Sequence, residues 1–327
     1  LMRVCFLENT NFVYNSKDIY NEKLRGAETV LINLSKSLNK LGHKVTIFNN
    51  CPKNEVLDEI NWININHYTK KDHFDLAISN NDIRLFDKIT ANKKIVISHS
   101  IQSLEKFVRK GQFLSYLKHK PKVILLSKYH KNNRSKLITM YGYIRLNWAV
   151  DDIFINTKIN NSFNQNRAIF SSSEDRNLLL LLEIWTNLIY PKFNNGEIWV
   201  PSSKINIKHK SIHPRLRGDQ KNLINDLLSS KILLIPGHKA ELFCLAAEEG
   251  KELCLPIVTL GIGSLKERVE HNVTGFIAKN EKEFANFSLD LFKNNEVFNK
   301  IRNNLIKIRG NNNWTKVSNN LIKELYV

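Results

Sequence analysis

Short apolar runs alternate along the first half of the chain with stretches in which apolar residues recur every three or four positions. Buried strands produce the first pattern and amphipathic helices the second, and their alternation is typical of a parallel α/β sheet. The predicted strands span residues 4–7, 44–48, 75–79, 94–98 and 123–126. A helix is predicted over 27–41, and Gly42 supplies its stop signal.

The same alternation starts again after a polar, Asn-rich stretch at 152–165 that has no periodicity. Further strands are predicted at 168–171, 197–200, 232–235, 257–260 and 276–278, and helices at 177–189, 220–228, 241–253, 265–271 and near 317–326. Two such series in 327 residues predict an α/β fold of two Rossmann-like domains with parallel sheets. We place them at 1–155 and 160–314, and expect the helix at about 315–327 to pack back on the first. Ligands of such sheets bind beyond the carboxyl ends of the strands, so we expect a site in the cleft between the domains.

Composition narrows the class of protein. Apolar residues make up 42% and aromatic residues 9% of the chain, which is typical of globular domains. No apolar run approaches the roughly 20 residues that span a bilayer. The four cysteines form neither a C-x-x-C pair nor a zinc-binding spacing, which favours a reduced protein. Residues 2–7 have the pattern of a buried strand rather than of a signal peptide, so we expect a cytoplasmic protein.

The net charge of +18 indicates either an anionic partner or a solvated surface rich in lysine and asparagine. The segment 106–136 is the most basic part of the chain, because it contains ten cations and no acidic residue. The apolar residues between these cations are Phe107, Phe113, Leu114, Tyr116 and Leu117. We expect the segment either to contact anionic headgroups or a phosphorylated glycan, or to be a solvated surface over core aromatics.

The segment 232–253 combines the features of an anion-binding site. A predicted strand leads to a loop with Glu241, and the predicted helix that follows carries Glu249 on its third turn. The first helical amides, at about Phe243, Cys244 and Leu245, would be free to bind phosphate. Glu241 could bind a sugar hydroxyl and Glu249 a ribose diol, although two glutamates also fit a solvated helix face.

This segment resembles the donor-binding signature of the retaining glycosyltransferases of family four (glycosyl transferases group one), which have the GT-B fold. Glu241 and Glu249 match the two glutamates of that signature, and Phe243 matches its phenylalanine. The motifs that follow at matching spacings lie at 256–259, 263–267 and 274–276. The resemblance implies transfer of a sugar from a nucleotide-diphosphate sugar, with retained anomeric configuration and without a metal.

Further positions carry the resemblance outside that segment. Gly26 matches a glycine that approaches the donor phosphates, and Arg176 matches a lysine that clamps the diphosphate. The second cation of the clamp is replaced by serine, near Ser172. His99 follows a predicted strand, where family members often have a histidine near the reacting sugar. The alternative for Gly26, Arg176 and His99 is a structural role at a helix start or a strand end.

The sequence also departs from the family pattern. Arg25, Cys244 and Cys254 replace glycines, while Lys251 and Glu252 stand where small or apolar residues are usual. These substitutions leave the preferred sugar open.

Other protein classes fit the sequence less well. It has no Asp-x-Asp metal motif, P-loop, nucleophile elbow, zinc cluster or dinucleotide fingerprint. Two alternatives stay open. A basic nucleic-acid-binding protein would explain the charge but not the glutamate pair, and a GT-B scaffold could be inactive or an epimerase.

The sequence therefore predicts a metal-independent retaining hexosyltransferase that uses a nucleotide-diphosphate sugar. The expected catalytic residues are Glu241, His99 and Arg176, and the expected donor-binding residues are Gly26, Ser172, Arg176, Phe243, Cys244, Leu245 and Glu249. We expect no cofactor and no nucleic acid. The expected acceptor is a glycan or a lipid-linked molecule, and the protein is expected to make peripheral contact with an anionic membrane.

Overall fold

The computed structural model describes residues 1–20, 24, 26–101, 103–202, 208–216 and 218–326. The chain divides into two compact units: Leu1–Trp148 together with the residues from Trp314 onward, and Ala149–Asn313. Each unit contains one largely parallel sheet with its helices, which confirms the predicted α/β class. The stretch predicted to be an irregular break, 152–165, contains a short helix and the start of a strand.

The first unit is built on an eight-stranded sheet. Its strands are β1 Arg3–Glu8, β2 Lys44–Asn49, β3 Glu55–Leu57, β4 Ile60–Asn64, β5 His73–Asn80, β6 Thr90–Ile97, β7 Lys122–Leu125 and β8 Tyr143–Arg145. Their order is β3-β4-β2-β1-β5-β6-β7-β8, and among these described strands the β3–β4 pair is antiparallel and the others are parallel. β1 pairs with β2 on one side and with β5 on the other, so the topological switch point of this sheet lies between β1 and β5.

In the part of this unit that the structure describes, four α-helices precede its last strand. They are α1 Gly26–Lys40, α2 Leu104–Arg109, α3 Phe113–His119 and α4 Lys128–Asn133. The apolar face predicted for α1 is buried, including Val30, Leu34 and Leu38. In α2 and α3, Phe107 and Tyr116 lie in the core. The hydrophobic pattern therefore predicted which side of α1 packs on the sheet.

The second unit is built on a six-stranded parallel sheet. Its strands are β9 Asn164–Ile169, β10 Glu197–Pro201, β11 Ile212–Arg215, β12 Ser230–Leu234, β13 Ile257–Thr259 and β14 Gly275–Ile277. Its helices are α5 Asp152–Asn156, α6 Leu178–Ile184, α7 Gln220–Leu228, α8 Leu245–Glu252, α9 Leu265–Arg268, α10 Glu281–Lys293 and α11 Asn295–Ile308. The strand order is β11-β10-β9-β12-β13-β14, so the switch point lies between β9 and β12.

The helix predicted at 241–253 begins later than the sequence indicated. α8 starts at Leu245, because Cys244 has a left-handed backbone with φ 63° and closes a turn instead of continuing a helix. The amides of Phe243 and Cys244 therefore precede the helix, and the first helical amides belong to Leu245 and Ala246. Glu249 lies on the second turn, not the third.

The last helix, α12 Trp314–Leu325, belongs to the first unit. Trp314 stacks on Trp148 with ring centroids 5.8 Å apart, and Ser318 Oγ lies 2.8 Å from Ser37 Oγ of α1. These contacts hold the C-terminal helix against α1. Within the described part of the chain, no helix has the length and apolar character needed to cross a membrane.

Candidate active site

Arg176 and Glu241 lie on the two sides of the switch point of the second sheet. Arg176 follows β9 and Glu241 follows β12, its neighbour in the sheet. Arg176 Nε donates to Glu241 Oε1 at 2.9 Å, and Arg176 Nη1 donates to Asp175 Oδ2. Both side chains of the Arg176–Glu241 pair are partly exposed, at 26% and 12%. A phosphate group that enters at this edge would compete with the carboxylates for the guanidinium.

Glycines position the backbone of Glu241. Gly263 has a φ of +71°, and a Cβ at this residue would lie 2.3 Å from the carbonyl oxygen of His238. The amide of Ser264 donates to the carbonyl of Glu241 at 3.0 Å, and Gly237 forms a β-bridge with Ile262. Because only glycine permits this approach, the loop after β13 fixes the loop that carries Glu241.

The residues that connect Glu241 to α8 are buried. The ring of Phe243 lies under the guanidinium of Arg268, 4.5 Å from its centre. Cys244 adopts a left-handed conformation at a position where the resembling family has glycine. Burial, and then the charge and hydrogen bond of Glu241, raise the pKa of the Cys244 thiol well above its ordinary value. The thiol is therefore protonated and is not a nucleophile. The helix amides that begin at Leu245 follow directly.

The charged residues that act on Glu249 are not those of the Arg176–Glu241 pair. Burial and then the charge of Asp151 raise its pKa, against the opposing charge of Arg215, to about 7. Arg215 is itself paired with Asp226 at 2.8 Å. Among the described residues, the hydrogen bonds of the site join Arg176 to Glu241 but join neither of them to Glu249.

A buried hydrogen-bonded chain crosses the switch point of the first sheet. Glu8 and Asn80 are register partners at the ends of β1 and β5, and Asn80 Nδ2 donates to one oxygen of Glu8. The hydroxyl of Tyr14 donates to the other oxygen. His99, after β6, lies with its Nε2 2.9 Å from Asn80 Oδ1. Since the amide nitrogen of Asn80 faces Glu8, the ring nitrogen Nε2 of His99 is the donor and Nδ1 keeps its lone pair.

Burial sets the charge states in this chain. It raises the pKa of Glu8 to about 7, although the hydrogen bonds from Tyr14 and Asn80 lower it. It lowers the pKa of His99 to about 4. At neutral pH His99 is therefore uncharged, and Glu8 is the group that titrates.

The other predicted donor-binding residues are Gly26 and Ser172. Gly26 is exposed as the first residue of α1, and Ser172 is partly buried in the loop after β9. Arg25 lies outside the described residues.

Several residues of these sites were missed at the sequence level. Glu8, Tyr14 and Asn80 were not predicted, although Glu8 is an acidic residue that directly follows an apolar run. Asn177 was missed as well: it has a left-handed φ of 65°, and its side-chain amide donates to the carbonyl of Gly237. This contact ties the loop of Arg176 to the loop of Glu241.

Comparison with known proteins identifies a family model over part of the chain. Residues 203–308 match the family model described as glycosyl transferases group 1, which confirms over that segment the resemblance seen in the sequence. A search of curated proteins by sequence found no match. The family match supports glycosyl transfer from a nucleotide sugar.

Solved structures show the same fold at low sequence identity. Sucrose-phosphate synthase from Thermosynechococcus elongatus has a TM-score of 0.71 at 11% identity, over 99% of this chain and 98% of that one. Alr3699/HepE from Anabaena, in complex with UDP and glucose, has a TM-score of 0.70 at 14% identity, with both chains fully covered. WaaG, a glycosyltransferase involved in lipopolysaccharide biosynthesis, has a TM-score of 0.66 at 10% identity, over 97% and 98%. The predicted GT-B fold is confirmed.

Proposed function

From the match of residues 203–308 to glycosyl transferases group 1, we propose that this protein transfers a sugar from a nucleotide-diphosphate sugar to a glycan or lipid-linked acceptor, with retention of configuration. The observation that carries the proposal is the Arg176–Glu241 pair at the switch point of the second sheet. A cation and a carboxylate held together there can separate to bind a diphosphate and a sugar hydroxyl, respectively.

Each predicted residue has a role in this proposal. Arg176, the amides from Leu245 onward and Gly26 stabilise the leaving diphosphate, which is electrostatic catalysis. Glu241 holds the sugar, and Phe243 and Cys244 shape the turn that presents it. The remaining donor contacts are assigned to Ser172 for phosphate and Glu249 for ribose. His99 binds a sugar hydroxyl through Nδ1, because its Nε2 is engaged by Asn80.

Nucleotide binding separates the roles of the two glutamates. Glu249→Ala is expected to weaken binding of a nucleoside diphosphate about tenfold, because it removes the ribose contact. Glu241→Ala is expected to keep at least wild-type affinity, because Arg176 loses its ion pair with Glu241 and only Asp175 still competes with phosphate for its guanidinium. The same variant is expected to lose sugar transfer. Isothermal titration calorimetry with UDP and GDP measures both affinities.

The matched control for this experiment is Glu248→Ala on the same helix. The carboxylate of Glu248 is paired with Lys251 at 2.9 Å and with Arg268 at 3.4 Å, so its removal tests loss of an acidic side chain from α8 without loss of a proposed ligand contact. Unchanged affinity in both the Glu241 and the Glu249 variants would contradict the assignment of the donor site.

Activity assays distinguish the proposed reaction from its alternatives. Hydrolysis and transfer of nucleotide sugars, measured with and without acceptor glycans, separate a transferase from an inactive scaffold or an epimerase. Turnover is expected to survive EDTA, since the sequence has no Asp-x-Asp motif. Binding of the protein to nucleic acid with no binding of any nucleotide sugar would favour the alternative of a nucleic-acid-binding protein.

We also propose that α2 and α3 contact an anionic membrane. Val108 is 58% exposed and Leu114 is 79% exposed, and Arg109 and Lys110 lie between them in the sequence. By contrast, Phe107 and Tyr116 are core residues. Apolar side chains beside cations suit an interface with anionic headgroups.

The membrane proposal predicts sedimentation with anionic vesicles at low salt and release at high salt. Arg109→Ser with Lys110→Ser should reduce this binding, while neutral vesicles should bind neither protein. Equal vesicle binding by the wild type and the double variant would rule out α2 as the contact.

A further inference from the structure

A cavity of about 570 Å³ lies at the amino edge of the first sheet. It is lined by residues at the start of β6 and β7, the end of α3 and the end of α12. Because β6 and β7 run parallel, their starts lie at the edge opposite to the ends that carry Asn80 and His99. This amino-edge cavity is therefore separate from the proposed active site.

The charges around the amino-edge cavity all have the same sign. Four lysines line it, namely Lys93, Lys94, Lys120 and Lys122, and none of the lining residues that the structure describes is acidic. The ammonium of Lys93 donates to the backbone carbonyl of Leu325 and lies 4.1 Å from the ring centre of Tyr326. The ammonium of Lys94 lies 3.2 Å from His119 Nδ1. These direct partners are neutral, and the carboxylate of Asp87 acts on Lys94 only from beyond His119.

A hydrogen-bonded chain orients Lys94. His119 Nε2 lies 3.0 Å from Asp87 Oδ1, so the ring donates to the carboxylate from Nε2 and accepts from Lys94 at Nδ1. Asp87 also pairs with Lys118, outside the lining. Burial and then the charge of Lys118 lower the pKa of Lys94, while the charge of Asp87 opposes them. A bound anion would relieve this repulsion.

Lys120 occupies a strained position. It ends α3 with φ 49° and ψ 48°, the left-handed conformation that helix ends usually give to glycine or asparagine. A lysine costs about 1 kcal/mol more than glycine in this conformation. Strain of this kind is concentrated at functional positions, and here it accompanies a side chain that lines the cavity.

We propose that the amino-edge cavity binds a small, multiply charged phosphate anion, such as a diphosphate. Four lysines match the charge of two linked phosphate groups better than that of one. The concave shape fits a compact ligand rather than a flat surface. The proposal does not depend on the glycosyltransferase activity, because it concerns the other edge of the sheet.

Acylation footprinting tests the site directly. The probe is inorganic pyrophosphate, added to the full-length Arg176→Ala variant so that the proposed donor site is weakened. The expected result is that pyrophosphate protects Lys94, Lys120 and Lys122 at least fivefold from an amine-reactive ester, as read by mass spectrometry. Lys300 and Lys307, exposed on α11, provide the internal reference. Equal protection at the reference lysines, or none at Lys94, would overturn the proposal.

Two variants separate binding from folding. Lys120→Gly should weaken pyrophosphate binding at least threefold while the melting temperature stays equal or rises, because glycine relieves the left-handed strain. Lys94→Met should weaken binding at least tenfold. Removal of two charges elsewhere, as Lys300→Ser with Lys307→Ser, should leave the affinity within twofold of wild type. An equal loss of affinity in that control would show that net charge alone causes the effect. It would then refute a specific binding site at the cavity.

Competing ligands identify the source of the phosphate. UDP, a sugar 1-phosphate and vesicles with phosphatidate are each added to the footprinting reaction. Protection by one of the soluble compounds supports a small-molecule ligand. Protection by vesicles alone would contradict the compact ligand proposed here and favour a lipid headgroup.

Discussion

The two sheets of this protein have the same topological switch point but place opposite chemistry in it. Each has its first strand in the middle, and the chain turns outward on one side before it crosses to the other. In the first unit a buried chain from Tyr14 through Glu8 and Asn80 to His99 fills the switch point. In the second, a partly exposed Arg176–Glu241 pair lies there between glycine-supported loops. Topology therefore fixes where a ligand can bind, and the side chains decide which ligand.

Solvation explains the difference between the two switch points. Burial holds His99 neutral, so the first switch point offers hydrogen-bond acceptors and no lasting positive charge. The partly exposed guanidinium of Arg176 stays charged and can exchange a carboxylate for phosphate. We propose that the switch point of the second unit suits an anionic group, while the switch point of the first offers an uncharged contact.

The largest expected effect comes from Arg176→Ala. If this guanidinium stabilises the leaving diphosphate, its loss lowers sugar transfer by about two to three orders of magnitude, or roughly 3–4 kcal/mol. Steady-state turnover with saturating donor is the measurement. Arg84→Ala is the matched control, because Arg84 also pairs with a carboxylate, Asp82, but is 53% exposed in the first unit. Turnover of the Arg176 variant within threefold of wild type would contradict a phosphate-binding role for Arg176, and with it the contrast drawn between the two switch points.

Glu249→Gln tests the electrostatics of the second unit. The pKa of Glu249 is about 7 in the folded protein, above its ordinary value of 4.5, so folding holds the proton more tightly than the unfolded chain does. Wild-type stability therefore falls as pH rises from about 4.5 to 7. Glutamine cannot ionise, and the variant should be more stable than wild type by on the order of 2 kcal/mol at pH 8.

Urea denaturation across pH measures this difference. The advantage of the glutamine variant should stay nearly constant above pH 7 and shrink as pH falls from 7 towards 4.5. A difference that stays constant with pH would mean that Glu249 has an ordinary pKa and is well solvated.

The features of the fold and of the candidate site that the sequence could predict are those that depend on residues close together in the chain. The apolar pattern predicted α7 at 220–228 with the bounds that the structure shows, because helical periodicity is a local property. The resemblance to the glycosyltransferase signature pointed to Glu241 and Arg176 as candidate site residues, but not to their pairing, since 65 residues separate them. Glu8 and Asn80 are 72 residues apart, and only strand pairing brings them together.

The predicted start of α8 was wrong for a different reason. Apolar spacing from 241 to 253 fits a helix, and no propensity rule indicates a left-handed cysteine. The family resemblance did indicate this conformation. The family has glycine at the positions of Cys244 and Cys254, and both cysteines have a left-handed φ, 63° and 61°. A glycine in a family pattern thus indicates a backbone conformation even where the sequence at hand lacks it.

Glu8→Gln tests whether the hydrogen-bonded chain of the first unit sets the tautomer of His99. A glutamine amide can donate to Asn80, which would turn the Asn80 amide so that its nitrogen faces His99 and moves the ring proton to Nδ1. Transfer is expected to fall about tenfold, since Nδ1 no longer accepts a hydroxyl. Nitrogen-15 NMR of the imidazole reports the tautomer directly. Tyr14→Phe is the control, because it removes the donor on the other oxygen of Glu8 and leaves the Asn80 contact in place. An unchanged tautomer in the Glu8 variant would show that Glu8 does not act through Asn80.

The smallest expected effect distinguishes strain at the second switch point from ordinary helix capping. Alanine is normally more stable than glycine within a helix by about 1 kcal/mol. At Cys244 we expect the reverse order, because alanine keeps the cost of a left-handed backbone and glycine does not. Both variants lose the same buried thiol, so the difference between them reports the backbone conformation, less the burial of the one methyl group that alanine keeps. Thermal unfolding should place Cys244→Gly above Cys244→Ala by about 1 kcal/mol. A glycine variant that is the less stable of the two would mean that the turn after Glu241 is not left-handed, and that the helical amides proposed to bind the diphosphate begin earlier than Leu245.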